Sequence, residues 1–387
     1  MPKLSKLSSE EVINSAKKEL EGHGYIASDE IATALYLAQA LIKPILIEGP
    51  PGVGKTELAI ATSKLLGKPL IRLQCYEGLD ESKALYEWKY GKQLLYTQVL
   101  KEKLSDILED AGDLSQAVDK LHAFDDVFFS EDFVEPRPLL KALWEKNGAV
   151  LLIDEIDKSD QEFEAFLLEI LQDYQISIPE IGTVRAKVPP VVFLTSNNTR
   201  EIGDALKRRC LHLYIPFPEH KLEQKIIRTQ MPDVPQSLSK QIVNFVQSLR
   251  GMDLKKLPSI SETLDWTRAL VLLNATELEP HLVRSTLNLL LKFQDDIEHT
   301  NPEVPTLIRN AIKDSQRKIF MLSDFIKALR SSNVTVSTAE SIDANKVLAT
   351  VGIENKLLLK HALSMALAKG IDDKKIFNKC FDLFFDL

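Results

Sequence analysis

Gly49-Pro50-Pro51-Gly52-Val53-Gly54-Lys55-Thr56 fits the phosphate-loop pattern G-x-x-x-x-G-K-[ST] at every required position. The preceding Pro44-Ile45-Leu46-Ile47-Glu48 is short, branched and apolar, the composition of a buried strand. In the segment that follows, Leu58, Ala61 and Leu65 share one helical face, and Gly67 and Pro69 supply stop signals. Strand, loop and helix in that order predict a nucleotide-binding turn. Backbone N–H groups of the glycine loop close around a β-phosphate, and the helix N-terminus adds partial positive charge. Lys55 then reaches the β- and γ-phosphates, and the Thr56 hydroxyl ligates Mg2+.

A chain of 387 residues has room for two or three domains, and 44% hydrophobic with 27% charged residues describes an ordinary globular composition. The formal net charge of −8 argues against a broad basic face for nucleic acid, although Lys207-Arg208-Arg209 is a small basic cluster. Cys75, Cys210 and Cys380 have neither metal-ligand nor disulfide-framework spacing, which predicts a reducing compartment. Met1 to Gly22 lacks the apolar core of a signal peptide, and no uncharged apolar run approaches spanning length. The expectation is a cytoplasmic protein.

Outward from the loop, Ser8 and Glu11 suggest a capping box for a helix over 8–22. Leu70 to Gln74 reads as a second strand. Residues 78–148 read as mostly helical, with aromatics at Tyr86, Trp88, Tyr90, Phe128 and Phe129. Ala149-Val150-Leu151-Leu152-Ile153 is a continuous apolar run ending in Asp154-Glu155, as a buried parallel strand would be. Ser159 and Glu162 suggest a cap for a helix with Phe163, Phe166, Leu167, Ile170 and Leu171 on one face. Gln175 to Ala186 reads as a projecting hairpin. Val191 to Thr195 is a further buried strand ending at Ser196-Asn197-Asn198, a short helix carries Ala205 to Arg209, and Leu211 to Ile215 is a fifth strand. Five strands alternating with helices predict an α/β, doubly wound parallel sheet. The pattern is all-helical after Pro218. The predicted domains are an N-terminal helix over 1–24, a nucleotide-binding core over 25–217, a helical lid over 218–298 and a helical C-terminal extension over 299–387.

Nucleotide hydrolysis needs a metal partner, a group that activates water and charge stabilisation beyond the loop itself. Asp154 is placed to hold Mg2+ through water and Glu155 to polarise the attacking water. Asn197 at the next strand tip either positions that water or senses the γ-phosphate; its alternative reading is a turn residue. Arg208 and Arg209 end the following helix. Either is a candidate arginine finger acting on a neighbouring subunit, Arg209 the favoured one; a surface basic cluster is the alternative.

With these residues placed, the chain resembles an AAA+ ATPase of the MoxR family, most closely its CoxD-like branch, over about residues 25–275. The resemblance rests on Leu73 to Asp80, Ala84 to Trp88, Leu151 to Asp157, Phe163 to Glu169, Ile178 to Val184, Thr195 to Asn197, Ala205 to Cys210 and Glu262 to Trp266. It implies ATP as the nucleotide, held between subunits of a homo-hexameric ring. It implies Asp154 and Glu155 as Walker B residues, Asn197 as sensor 1, Arg209 as the finger and an insert over 78–110. It also implies a chaperone-like remodeller that works on a client protein, such as a metalloenzyme in maturation, with a von Willebrand factor A domain partner. Ser261-Glu262 departs from the family at the position where relatives carry a sensor 2 arginine, with Arg268 the nearest substitute. His361 to Phe385 is similar to the N-terminal region of the von Willebrand factor A partners, although no D-x-S-x-S motif occurs. The alternatives from other classes are a nucleic-acid-dependent or restriction-type NTPase subunit, and a nucleotide-binding switch with little turnover.

Overall fold

The computed structural model describes residues 9–108, 130–179, 181–332, 334–351 and 356–385. Ser8, Phe128, Phe129 and Glu180 lie outside them. The chain divides into two compact units: residues 1–233 with 259–264, and residues 234–258 with 265–387.

The first unit opens with α1 (Ser9–Gly22), α2 (Asp29–Leu41), β1 (Ile45–Glu48), α3 (Lys55–Leu66) and β2 (Leu70–Gln74). An insert follows, made of α4 (Glu81–Ala84), β3 (Tyr86–Trp88), α5 (Tyr90–Leu108), β4 (Val134–Pro136) and α6 (Pro138–Trp144). Then come β5 (Val150–Asp154), α7 (Gln161–Asp173), the hairpin strands β6 (Gln175–Ile178) and β7 (Gly182–Arg185), and β8 (Val191–Ser196). The unit continues through α8 (Asp204–Arg209), β9 (Leu211–Tyr214) and α9 (His220–Gln230).

Five of these strands form one parallel sheet in the order β2-β5-β8-β1-β9. Their apolar runs are continuous because both faces are covered. Side-chain alternation sorts each run onto two cores. Leu46, Leu151, Ile153, Val192 and Leu194 pack with Leu139 and Leu143 of α6 and Phe163, Leu167 and Ile170 of α7. Ile45, Ile47, Val150, Leu152 and Phe193 pack on the other face with Leu20, Ile31, Leu35 and Leu58 from the first three helices. The α/β doubly wound parallel sheet of five strands is therefore the fold.

Among its described residues the insert is mostly helical, as expected, with one departure. Tyr86–Trp88 and Val134–Pro136 pair antiparallel as a separate two-stranded sheet, with Glu87 opposite Glu135. The N-cap of α7 is also one residue later than expected. The Asp160 side chain accepts from Phe163 N, and the Ser159 hydroxyl instead donates to the Ile156 carbonyl. Asp outcompetes Ser here because the Ser159 hydroxyl is already committed to the preceding turn. The hairpin over 175–186 forms as expected, but rather than projecting freely it packs Ile176, Ile178 and Val184 into the core.

The second unit holds α10 (Gln236–Arg250), α11 (Ile260–Leu272, whose first turn belongs to the first unit), α12 (Pro280–Leu290), α13 (Gln294–Thr300), α14 (Val304–Ser331), α15 (Thr338–Val351), α16 (Lys356–Leu367) and α17 (Ile371–Phe385). Trp266 is fully buried against Phe245 at 5.3 Å between ring centroids, and its indole N–H donates to the Thr286 hydroxyl at 2.8 Å. The C-terminal helices make their own core. Phe325 near the end of α14 meets Phe377 and Phe381 of α17 edge-on, and Leu359, Leu363 and Leu367 complete the cluster.

Candidate nucleotide-binding site

Parallel pairing brings the functional residues to one edge. Register places Glu48 beside Ser196, and Ile153 beside Leu194, so the residues after β1, β5 and β8 emerge together at the C-terminal end of the sheet. That edge is where open α/β sheets bind ligands.

The loop after β1 needs its glycines. A Cβ on Gly49 would lie 2.2 Å from the Ile215 carbonyl oxygen, and one on Gly52 would lie 2.8 Å from the Ser259 Cβ. Both residues have positive φ, 149° and 74°. Ser259 is held by Glu262, which accepts from the Ser259 N–H at 3.0 Å, as in one half of a capping box, and from its hydroxyl. Ser261 N and Oγ both lie within hydrogen-bonding reach of the Gly52 carbonyl, at 3.3 and 3.2 Å. At the position where an arginine is expected from family resemblance, this chain therefore places a hydroxyl on the loop. Arg268 lies in the second unit, paired with Asp265.

Lys55 begins α3 and is only 6% exposed. Its ammonium donates to the Gly49 carbonyl at 2.6 Å, the Pro50 carbonyl at 2.8 Å and Asn197 Oδ1 at 2.7 Å. Burial pulls its pKa from 10.5 down to about 8, against the opposing pull of Asp157, Asp154 and Glu155. Thr56 Oγ1 lies 3.2 Å from Asp154 Oδ1. Asp154 is buried and also accepts from the Thr195 hydroxyl at 2.5 Å and from Arg72 at 2.6 Å.

Glu155 takes a left-handed backbone, φ 58° and ψ 50°, which turns the chain sharply out of β5. Its N–H donates to Thr195 Oγ1 at 2.9 Å. Its carboxylate accepts from Gln74 Nε2 at 2.9 Å, Lys158 Nζ at 2.5 Å and Asn197 Nδ2 at 3.3 Å. Lys55, Thr56, Asp154, Glu155 and Asn197 thus form one connected polar cluster. Arg208 and Arg209 do not join it. Register pairs Leu211 with Ile45, so these arginines sit at the N-terminal end of β1, opposite the loop. Arg209 donates to Gln172 Oε1 at 2.9 Å, and Arg208 is exposed.

Several members of the cluster carry no motif signal of their own. Arg72 and Gln74 alternate on an edge strand and look like ordinary exposed positions. Thr195 reaches Asp154 only because β5 and β8 are neighbours. Arg200 binds the buried Glu164 and donates to the Ser159 carbonyl at 2.7 Å, while Gly203 N donates to Glu164 Oε2 at 2.9 Å. This ties the segment after Asn197 to α7. Cys75, beside the acids, is no nucleophile: burial, with Asp154, Asp157 and Glu155, pushes its thiol up to about 12.

Residues 44–210 match the family model of the AAA domain, dynein-related subfamily. The sheet is a P-loop AAA fold. Residues 322–387 match a second model, the CoxE N-terminal helical bundle domain, which coincides with the phenylalanine-centred cluster of the second unit. An uncharacterized protein of Staphylococcus aureus (strain NCTC 8325 / PS 47) is 28% identical over 60% of this chain and 76% of its own length. An uncharacterized protein of Staphylococcus epidermidis is 28% identical over 62% of this chain and 80% of its own. Among solved structures, a Thermotoga maritima RuvB P216G mutant aligns over 92% of this chain and 85% of its own, at 17% identity and a TM-score of 0.38. That score leaves the strand order and the AAA model to carry the fold. An AAA fold implies nucleotide binding, typically with Mg2+, and the residues fit such a group. A buried ammonium lies on a loop too tight for side chains, and a hydroxyl faces a buried carboxylate. Among the described residues, no helix is long and apolar enough to cross a membrane.

Proposed function

We propose that this chain is a Mg2+-dependent AAA+ ATPase of the MoxR type, in its CoxD-like branch. In this reading it acts as a homo-hexameric, cytoplasmic ring that remodels or matures a client protein, a metalloenzyme being the client class, together with a von Willebrand factor A domain partner. The observation that carries the catalytic part is the single cluster joining Lys55, Thr56, Asp154, Glu155 and Asn197 at the C-terminal edge of the sheet. The observation that supports the partner is the CoxE-type bundle at residues 322–387.

Residues 49–56 would cradle the phosphates, with Thr56 and Asp154 holding Mg2+. Bound Mg2+-ATP supplies the phosphoanhydride to be cleaved, and the metal offsets charge on its oxygens. Lys55 would exchange the Gly49 and Pro50 carbonyls for phosphate oxygens, a trade of neutral acceptors for charged ones. Glu155 would leave Lys158 and Gln74 to accept a proton from water, while Asn197 keeps its link to Lys55 and orients that water. Arg209, remote from its own loop, is suited to serve the site of a neighbouring copy. Deep desolvation around Lys55 and Asp154 would strengthen each of these interactions.

The contacts from Lys158 and Gln74 to Glu155 favour one second reading, a switch that binds nucleotide with little turnover. Steady-state ATP hydrolysis against protein concentration separates the two, with Glu155→Gln and Arg209→Ala beside wild type. Specific activity that rises with concentration, with both variants silent but still binding ATP, supports the shared-site ring. Tight binding without turnover at any concentration supports the switch.

A further inference from the structure

Asp157 is an ionised group where ionised groups are costly. It sits in the turn after β5 and is 4% exposed. Three donors converge on one of its oxygens: Oδ2 accepts from Asn197 N at 3.2 Å, Thr199 N at 3.0 Å and Thr199 Oγ1 at 2.5 Å. Burial pushes this carboxyl up, but the Thr199 hydroxyl and the Thr199 and Asn197 N–H groups more than offset it, so its pKa lies below the ordinary value. Among the described residues, the other oxygen, Oδ1, is buried with no hydrogen-bond partner. Native proteins rarely leave such an atom unpaired. The fold accepts an orphaned oxygen here and keeps the other on the tip of β8.

That tip carries Asn197, whose side chain runs from Lys55 (2.7 Å) to Glu155 (3.3 Å). Its neighbour Asn198 is left-handed at φ 58°, so the tip is a sharp turn, and among the described residues no strand pairing extends beyond Ser196 to hold it. We propose that Asp157 is a positioning residue: by gripping the Asn197 and Thr199 amides it aims the Asn197 carboxamide across Lys55 and Glu155. It exchanges no proton and forms no bond, and it acts through Asn197. The proposal rests on the ATPase reading above.

The test compares full-length wild type with Asp157→Ala, Asp157→Asn and Thr199→Val. Readouts are ATP turnover, binding of a fluorescent N-methylanthraniloyl ATP, and hydrogen exchange over residues 196–200. Asp157→Ala is expected to lower kcat at least tenfold, to change nucleotide affinity less than threefold and to speed exchange at the tip. Asp157→Asn keeps an acceptor oxygen and is expected to restore kcat to within about threefold of wild type. Thr199→Val, which keeps both amides, is expected to lose about threefold in kcat and guards against an Asp157→Ala chain that fails to fold. Unchanged kcat in Asp157→Ala or in Thr199→Val overturns the proposal. So does an Asp157→Asn no better than Asp157→Ala, because charge rather than acceptor geometry would then matter. A wild type that binds nucleotide without turnover defeats the ATPase reading and this role with it, whereas turnover with an indifferent Asp157 defeats this role alone.

Discussion

Lys55 is a buried ammonium whose hydrogen-bond partners are two carbonyls and one carboxamide oxygen. None of these carries charge, so desolvation wins and the pKa falls to about 8. The unfolded chain holds the same proton up to about 10.5. Between those values the unfolded state binds more protons, so this group's contribution to stability improves as pH rises from about 8 to about 10.5. Nucleotide affinity should run the other way. A polyphosphate is held by the protonated form, and raising the pH through about 8 removes that form from the free protein. Affinity for Mg2+-ATP, measured by calorimetry, is therefore expected to fall about tenfold between pH 7 and pH 9. A flat profile would show that Lys55 keeps its proton throughout.

At the level of elements, the glycine loop and the strands around it are one object. The positive φ of Gly49 is strained for any other residue, and the Ile215 backbone beyond β9 blocks the place of a side chain. Gly49→Ala must push two backbones apart and is expected to cost about 3 kcal/mol or more in urea unfolding. Gly67→Ala, at φ 60° with open space around it, is expected to cost only about 1–2 kcal/mol. Equal losses would mean that the close approach to Ile215 is not what excludes a side chain. Such elements were readable in advance because their signals are local. The apolar runs of β1, β5 and β8 are continuous, and a loop, a capping residue or paired acids punctuate each end. The β3–β4 pair was not readable: Glu87 finds Glu135 across 48 positions of chain, and strands of three residues carry no periodicity. The same holds within the site. Lys55, Asp154 and Glu155 sit in motifs, whereas Arg72, Thr195 and Asp157 acquire their partners only through strand order and register. The displaced cap of α7 had a subtler cause, since Ser159 and Asp160 are both good caps and a neighbouring carbonyl settled the choice.

On the scale of the whole molecule, α14 follows the boundary expected near residue 299 and runs without interruption from Val304 to Ser331. Its two ends belong to different cores. At the first end Val304, Ile308 and Ala311 are buried, and Asn244 of α10 donates to the Ala311 carbonyl at 2.9 Å. At the second end Leu322, Phe325, Ile326 and Leu329 form the core with α16 and α17. A deletion of 300–387 therefore removes the segment of α14 that Asn244 of α10 bonds, as well as the bundle. Insolubility of that product would say nothing about whether the bundle caps the chain or serves a partner. A deletion of 333–387 is the cleaner cut, because it keeps all of α14 and removes only α15 to α17. To avoid leaving their partners bare, it should carry Phe325→Ser and Leu329→Ser, which exchange the exposed apolar stripe for polar groups. This shortened chain is expected to stay soluble, to keep the helical content of the remaining second unit by circular dichroism and to bind Mg2+-ATP as tightly as wild type. Those results would mark the C-terminal helical bundle as a separable module rather than part of the nucleotide-binding unit. Collapse of the shortened chain, with loss of ATP binding, would mean that the bundle holds up the fold it follows.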